Sequence, residues 1–321
     1  MDFKSIVAVV GEDFTAVDTF IQKSLESRVP LISEVGRYIV QGGGKRLRPL
    51  VCLLAARACG YQSGDKHIEV AAIIELLHTS TLLHDDVVDD SGLRRGRATA
   101  NARWDNPTAV LVGDYLISRA FQLVVNLHNP VVMDIMAAGT CVIAEGEVLQ
   151  LINQRDPATT EARYMEVIHG KTAKLFEAAA ECGAALGNPA LQTACASYAR
   201  HLGAAFQIID DVLDYTSSAE IMGKNVGDDL AEGKPTLPLI QAMKTAPDAE
   251  AELIRQAIRT GGLEHLDEII AIVQRSGAID YTRARARQES ELALAALAPV
   301  PLSPFRTALE NLTQLALARE S

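Results

Sequence analysis

An all-α, single-domain chain follows from three features of the sequence. Apolar residues recur at helical spacing in segment after segment, punctuated by Gly, Pro and Asn. Ala and Leu are abundant while aromatic residues make up only 5%, and Ala and Leu lose little side-chain entropy in a helix. Alternating β-branched runs of the kind that form strands are nearly absent. With 321 residues, 48% of them hydrophobic, the chain is long enough to bury one large core.

Taken in order, the spacing predicts helices over 3–24, 30–41, 46–59, 66–90, 108–127, 131–152, 160–186, 190–216, 235–245, 249–260, 263–275, 278–297 and 304–319. Breaks fall at Gly42-Gly43-Gly44, Asn106-Pro107, Asn129-Pro130, Asp156-Pro157 and Asn188-Pro189, with a longer polar loop from Thr216 to Lys234. The stretch from Ala71 to Leu83 is apolar nearly all round. Such a helix belongs at the centre of a bundle, where an unpaired carboxylate is costly.

The formal net charge is −11, from 30 Lys and Arg against 41 Asp and Glu. No basic surplus exists to release counterions, so a nucleic-acid partner is not expected. A small phosphate ligand remains compatible, because a metal ion and a few local cations invert the field at one site. The five cysteines form no CxxC pair and are expected to be small buried hydrophobes in a reducing compartment. The N-terminal segment lacks a basic n-region and a cleavage-like site. No stretch approaches the roughly 18 apolar residues of a membrane span. The expected location is therefore the cytoplasm.

Against that background two acidic clusters stand out. The first apolar helix of interest ends in Asp85-Asp86-Val87-Val88-Asp89-Asp90. Asp85 and Asp89 are four apart and share a face; like charges at that spacing repel, and acids at a C-terminal end oppose the helix dipole. An acidic run is often only a solvated helix end, but the preceding helix looks buried, so a cation is expected here. Oxygen ligands without His or Cys suit a hard divalent ion, magnesium above all. The run Phe206-Gln207-Ile208-Ile209-Asp210-Asp211-Val212-Leu213-Asp214 repeats the device about 125 residues later.

Basic groups accompany both clusters. Lys45, Arg46 and Arg48 follow the Gly42–44 turn at a predicted helix start, where free N–H groups favour an anion. Arg94-Arg95-Gly96-Arg97 begins five residues after Asp89 and suits bidentate phosphate contacts. The loop from Gly223 to Lys234 has the makings of a lid over phosphates. His78 lies two turns before Asp85 on the same stripe, whereas His84 is turned from it and is read as structural. The remaining histidines show no zinc spacing. Lys171-Thr172 interrupts an otherwise apolar helix.

These motifs, GGGKRLRP, LLHDDVVDDSGLRRG, GKT, FQIIDDVLD and GKNVGDDLAEGKPTLP, occur in one order. Together they resemble the trans-isoprenyl (polyprenyl) diphosphate synthase family over nearly the whole chain, most like its bacterial octaprenyl-forming members, which make the ubiquinone side chain. The resemblance implies an antiparallel helix bundle around a deep central cavity, normally a homodimer, and a prenyltransferase that condenses an allylic diphosphate such as farnesyl diphosphate with isopentenyl diphosphate. Carried over by matched position, it implies that Asp85, Asp89 and Asp210 ligate magnesium, with Asp86, Asp211 and Asp214 in support. Arg94, Lys171, Lys224 and Lys234 would hold the allylic diphosphate; Lys45, Arg48, His78 and Arg95 would hold isopentenyl diphosphate. Thr172 and Gln207, in the same allylic site, would border the reacting carbons, and with Lys171 they would be the catalytic residues. Ser80, Thr81 and Leu77, small or aliphatic residues below Asp85, would let a long product grow.

Three alternatives stay open at this point: a synthase of shorter or longer product, a metal-dependent diphosphate hydrolase or cyclase, and an inactive helical partner subunit. The last should lack acids in one cluster, and here both are complete. Loose membrane association for product release is a further expectation.

Overall fold

In the computed structural model, residues 2–216, 227–261 and 263–318 are described. Helices dominate: α1 Phe3–Ala8, α2 Gly11–Ser24, α3 Pro30–Val40, α4 Leu47–Ala58, α5 Lys66–Val88, α6 Ala100–Arg103, α7 Asn106–Asn126, α8 Pro130–Asn153, α9 Glu161–Ile168 and α10 Lys174–Gly187. They continue with α11 Gln192–Thr216, α12 Asp228–Ala231, α13 Leu237–Thr245, α14 Asp248–Thr260, α15 Leu266–Arg275, α16 Ala278–Ala296 and α17 Pro304–Leu317. The all-α expectation holds, and most predicted helices fall within a few residues of these.

The chain forms two compact units: residues up to 139 with 175–199 and 296–312, and residues 140–174 with 200–295 and the chain from 313 onward. In the first, α5 packs against α2, α4 and α7, and Leu50, Leu53, Leu54, Ile73, Ile74 and Leu76 are sealed from solvent. Gly183 and Gly187 let α10 lie on α4: a Cβ on Gly183 would sit 2.5 Å from the Cys52 carbonyl. In the second, Tyr164, Ile208, Ile209, Leu213 and Leu237 form one apolar cluster. Val212, Tyr215, Ile254, Ile269 and Ile272 are prominent in another.

Several expectations need correction. The helix predicted over 3–24 breaks after Ala8 and resumes at Gly11. Leu93–Arg94 and Arg97–Ala98 pair as a short antiparallel hairpin, β1–β2, a feature too brief for periodicity to reveal. The helix predicted over 160–186 contains a π-helical turn, His169–Ala173, between α9 and α10. Cys141 is exposed rather than buried; the other four cysteines are buried, and all five are free thiols. Two helices, α7 and α8, are after all long and apolar enough by length and composition to cross a membrane, a property their interspersed Asp114, Arg119, Asp134, Glu145 and Glu147 obscured in the sequence.

Candidate active site

Within the first unit, burial runs around α5 as a stripe. His78, Thr81, Asp85 and Asp89 are half-buried, while Ser80, Leu83 and Asp86 on the other sides are sealed. Leu77 is also sealed; of the three residues read as chain-length determinants, only Thr81 lies on the stripe. The Ser80 hydroxyl donates to the Leu77 carbonyl at 2.7 Å and that of Thr81 to the His78 carbonyl at 2.9 Å. His84 reaches across to α7, bonding the Val110 carbonyl at 3.1 Å, in keeping with a structural role.

The β1–β2 hairpin follows the acids. Arg95 and Gly96 both have positive φ, 54° and 70°, the signature of the two-residue turn whose twist matches its strands. This geometry aims the neighbouring arginines. The Nε and Nη2 atoms of Arg94 each lie 2.7 Å from Asp86 Oδ1. The guanidinium of Arg95 lies against Gly44, where a Cβ would come within 2.6 Å of its Nη1. Gly44 has φ +134°, so the residue is required on two counts.

At the start of α4, Arg46 adopts the left-handed conformation, φ 49°, and is spent on structure. Its Nη1 lies 2.6 Å from buried Glu75, and its Nη2 donates to the Val40 carbonyl. Lys45 is exposed beside it. Arg48 Nη1 donates to His78 Nε2 at 3.2 Å, and its guanidinium stacks 4.5 Å from the Phe176 ring centroid. Burial, then the positive charge of Arg48, Arg95, Arg94 and Arg46, holds His78 well below the usual imidazole range. The ring is therefore neutral, which is the state that accepts from Arg48. The structure thus brings Arg48 to His78 and Arg95 to the Gly44 turn beside Lys45.

In the second unit, the π-turn carries Lys171 and Thr172; π-turns inside helices recur at functional sites. Gly146 of α8 admits it, since a Cβ there would lie 2.5 Å from the Lys171 backbone nitrogen. Lys171 Nζ pairs with Glu147 Oε2 at 2.6 Å. Thr172 Oγ1 donates to Gln207 Oε1 at 3.0 Å, and Gln207 Nε2 donates to Asp211 Oδ1 at 2.9 Å. Tyr164 donates to the other Asp211 oxygen at 2.7 Å. Burial, then the charge of Asp229, pushes the Asp211 carboxyl up to about 8 against the pull of the Tyr164 and Gln207 hydrogen bonds. Asp210 beside it is half-buried, while Asp214 is sealed and accepts from the Asp229 backbone N–H at 3.4 Å.

The segment after the second acids was read as a loop; its described part includes α12. Lys234 is held by an ion pair with Glu232, and the segment is tied to the end of α8 by Gln154 donating to the Glu232 carbonyl and Arg155 N–H to the Gly233 carbonyl. Lys224 lies outside the described residues, as do Gly223, Asn225 and Val226.

Reasoning from sequence missed Glu147, Tyr164 and Glu75, and singled out Asp229 only as part of the polar stretch after the second acids. Only Glu147 and Glu75, acids inside apolar helices, carried a signal that could have found them.

Could a cation be held here? Among the described residues no three His, Cys, Asp or Glu side chains are gathered as a ligand set. The donor chemistry nonetheless suits a hard ion whose remaining oxygens come from a ligand and water. Asp85 and Asp89 are accessible one turn apart, Asp210 is accessible on α11, and Asp86 Oδ2 is buried with no hydrogen-bond partner among the described residues.

The description "polyprenyl synthetase" matches residues 29–274. Across 99% of both proteins the chain is 56% identical to the all-trans-nonaprenyl-diphosphate synthase (geranyl-diphosphate specific) of Rhodobacter capsulatus. It is 49% identical to the octaprenyl diphosphate synthase of Escherichia coli K12, with 100% of both covered. A crystal structure of a polyprenyl synthase from Caulobacter crescentus, complexed with calcium and isoprenyl diphosphate, superposes with a TM-score of 0.96 at 41% identity, covering 100% of this chain and 98% of that one. Agreement of this extent, reached through sequence and fold alike, means that the chain belongs to the polyprenyl synthetase family.

Proposed function

We propose that the chain is a magnesium-dependent prenyltransferase that lengthens an allylic diphosphate by successive condensations with isopentenyl diphosphate. The product is a long all-trans polyprenyl diphosphate, octaprenyl or nonaprenyl, destined for a quinone side chain. The observation that carries this reading is the pair Asp85 and Asp89: two half-buried carboxylates one turn apart at the end of a helix whose middle, Val70 to Leu77, is sealed in the core, an arrangement that folding alone does not favour.

In this reading Asp85, Asp89 and Asp210 hold magnesium, and Asp86, Asp211 and Asp214 support them. Bound magnesium supplies charge to neutralise the departing diphosphate as the allylic C–O bond breaks. Arg94, Lys171, Lys224 and Lys234 bind that diphosphate and stabilise the same developing charge. Lys45, Arg48, His78 and Arg95 bind isopentenyl diphosphate and present its double bond to the allylic cation. The oxygens of Thr172 and Gln207 lie beside the reacting carbons and stabilise the cation by their dipoles. Apolar helices exclude water, which would quench it. A proton then leaves the new chain for the departed diphosphate. Thr81 borders the path of the growing chain; Ser80 and Leu77, read with it from the sequence, are sealed on other sides of α5.

Both units are read as one catalytic domain over 1–321, because α8, α11 and α17 each contribute residues to both. A homodimer is supported by large apolar side chains left exposed on α7 and α8, among them Leu111, Val125, Val148, Leu151 and Ile152; monodisperse mass at micromolar concentration tests it. Liposome flotation tests the alternative, a loose membrane contact. A cytoplasmic location is part of the same reading; thiol labelling of Cys59 and Cys195, whose sulfurs lie 3.6 Å apart, in freshly lysed cells tests it, since a reducing compartment would leave both labelled.

The test is direct. Purified protein, magnesium and labelled isopentenyl diphosphate should yield long-chain product with farnesyl or geranyl diphosphate and none without an allylic starter. Release of diphosphate from the starter alone would replace the reading with a hydrolase or cyclase. The 56% identical relative is named as geranyl-diphosphate specific, so comparing the two starters tests the preferred starter, and sizing the products decides between octaprenyl and nonaprenyl.

A further inference from the structure

The β1–β2 hairpin has only two residue pairs, Leu93 with Ala98 and Arg94 with Arg97. A ribbon so short does not hold its shape unaided, yet it presents Arg94 and Arg95 for diphosphate in the reading above. Arg94 has its own anchor in Asp86. Arg95 forms no hydrogen bond or ion pair with any side chain among the described residues, so its direction is set by the hairpin backbone and by the Gly44 surface it lies against.

What holds that backbone is Tyr38, from α3. Its hydroxyl donates to the Ala98 carbonyl at 2.8 Å, on the outer strand of the hairpin. Its ring carries the Arg97 guanidinium at 4.4 Å and that of Arg103 at 4.5 Å from the centroid. Arg103 also lies 4.7 Å from the Trp104 ring, and Trp104 meets Tyr38 edge-on at 5.2 Å. The neck is closed by further bonds: Thr99 donates through its hydroxyl to the Ser91 carbonyl at 2.6 Å and through its N–H to the Gly92 carbonyl at 3.1 Å. Tyr38 thus holds the same Ala98–Thr99 peptide unit that the neck bonds close, and through its ring it alone of these supports reaches Arg97, the residue paired with Arg94 next to the turn.

We propose that Tyr38 is a positioning residue for isopentenyl diphosphate: by gripping Ala98 and Arg97 it fixes the hairpin tip and thereby aims Arg95. This rests on the assignment of Arg95 to that substrate. Tyr38 touches no substrate itself. Its influence falls on Arg95 rather than Arg94, because Arg94 keeps its Asp86 anchor when the hairpin loosens.

The experiment is steady-state kinetics of Tyr38→Leu and Tyr38→Phe, varying each substrate in turn. Tyr38→Leu, which loses ring and hydroxyl, should raise KM for isopentenyl diphosphate about tenfold, since small misplacements of binding groups carry large penalties. KM for the allylic diphosphate should change less than about twofold and kcat less than about threefold. Tyr38→Phe keeps both guanidinium stacks and should recover most of the affinity, leaving KM within about threefold of wild type. If Tyr38→Leu does not fold, Tyr38→Phe with Arg103→Ala carries the test, their KM changes again confined to isopentenyl diphosphate. An unchanged KM, or equal rises for both substrates, would overturn the proposal. A wild-type enzyme that makes no condensation product would instead overturn the functional reading beneath it.

Discussion

The hydroxyl of Thr172, inside the π-turn, donates to the side-chain carbonyl of Gln207 at 3.0 Å. Gln207 passes its amide hydrogen on to Asp211, which also accepts from Tyr164. The direction of every bond in this chain follows from the first, because a hydroxyl donated to one end of an amide leaves the other end to donate. The lone pairs of Thr172 thus remain available for a developing positive charge. Gln207→Leu should lower kcat by roughly 10²-fold, the scale of losing one preorganised dipole, with both KM values nearly unchanged. Unaltered turnover in a folded variant would remove Gln207 from the chemistry.

The accessible and the sealed acids should behave differently. Asp85→Ala, Asp89→Ala and Asp210→Ala should each lower kcat by about 10²–10³-fold or more while leaving the melting temperature near wild type. Asp86→Ala should lower the melting temperature, because it releases a doubly bonded Arg94 from a buried partner. Manganese binding in the presence of inorganic pyrophosphate, followed by electron paramagnetic resonance, separates the two classes without turnover. Chelation should abolish activity and magnesium should restore it.

Gly44 is held at φ +134°, and any side chain there would run into Arg95. Gly44→Ala should cost about 1–3 kcal/mol of stability from backbone strain and raise KM for isopentenyl diphosphate about tenfold through displacement of Arg95. The allylic KM should barely move. Equal effects on both substrates would mean that Arg95 does not serve the substrate assigned to it.

Much of this was legible in advance for a physical reason. Acids that close an apolar helix conflict with folding preferences, so Asp85, Asp89 and Asp210 announce themselves, and the helical period carries nearly every long element. What periodicity could not reveal is local or borrowed. The hairpin is set by two residues of positive φ, Arg95 and Gly96, and the π-turn by one extra residue at the Gly146–Gly170 approach. Nothing in the sequence sets Tyr164 apart; only its hydroxyl bond to Asp211 in the fold does so. Lys224 and much of the predicted lid fall outside the described residues.

His78 gives a pH test. Its folded proton affinity lies well below the ordinary value of 6.5, through burial and then Arg48, Arg95, Arg94 and Arg46; Glu75 lies one turn away on the same helix. Below pH 6.5 the unfolded chain therefore takes up a proton that the folded one refuses. The stability this neutral ring contributes is fully present above that value and is lost as pH falls through it toward the folded value. Melting temperature measured from pH 7.5 to 5 should fall less steeply in His78→Gln than in wild type. Parallel profiles would show that the folded ring takes up its proton as readily as the unfolded one.

Thr81 and Ser80 are neighbours with opposite surroundings, and that difference separates a product-length effect from damage to the core. Thr81 is half-buried on the stripe it shares with His78 and Asp85, whereas Ser80 is fully sealed. A phenylalanine at Thr81 has room to turn toward the path of the growing chain and should shorten the product by several isoprene units while leaving the first condensation intact. A phenylalanine at Ser80 must be forced into a packed interior, at a cost of about 1–3 kcal/mol or more, and should lower stability without a defined shorter product. Chromatographic sizing of products from the two variants, alongside their melting temperatures, checks both halves. Full-length product from a folded Thr81→Phe enzyme would mean that the chain grows along some other face of α5.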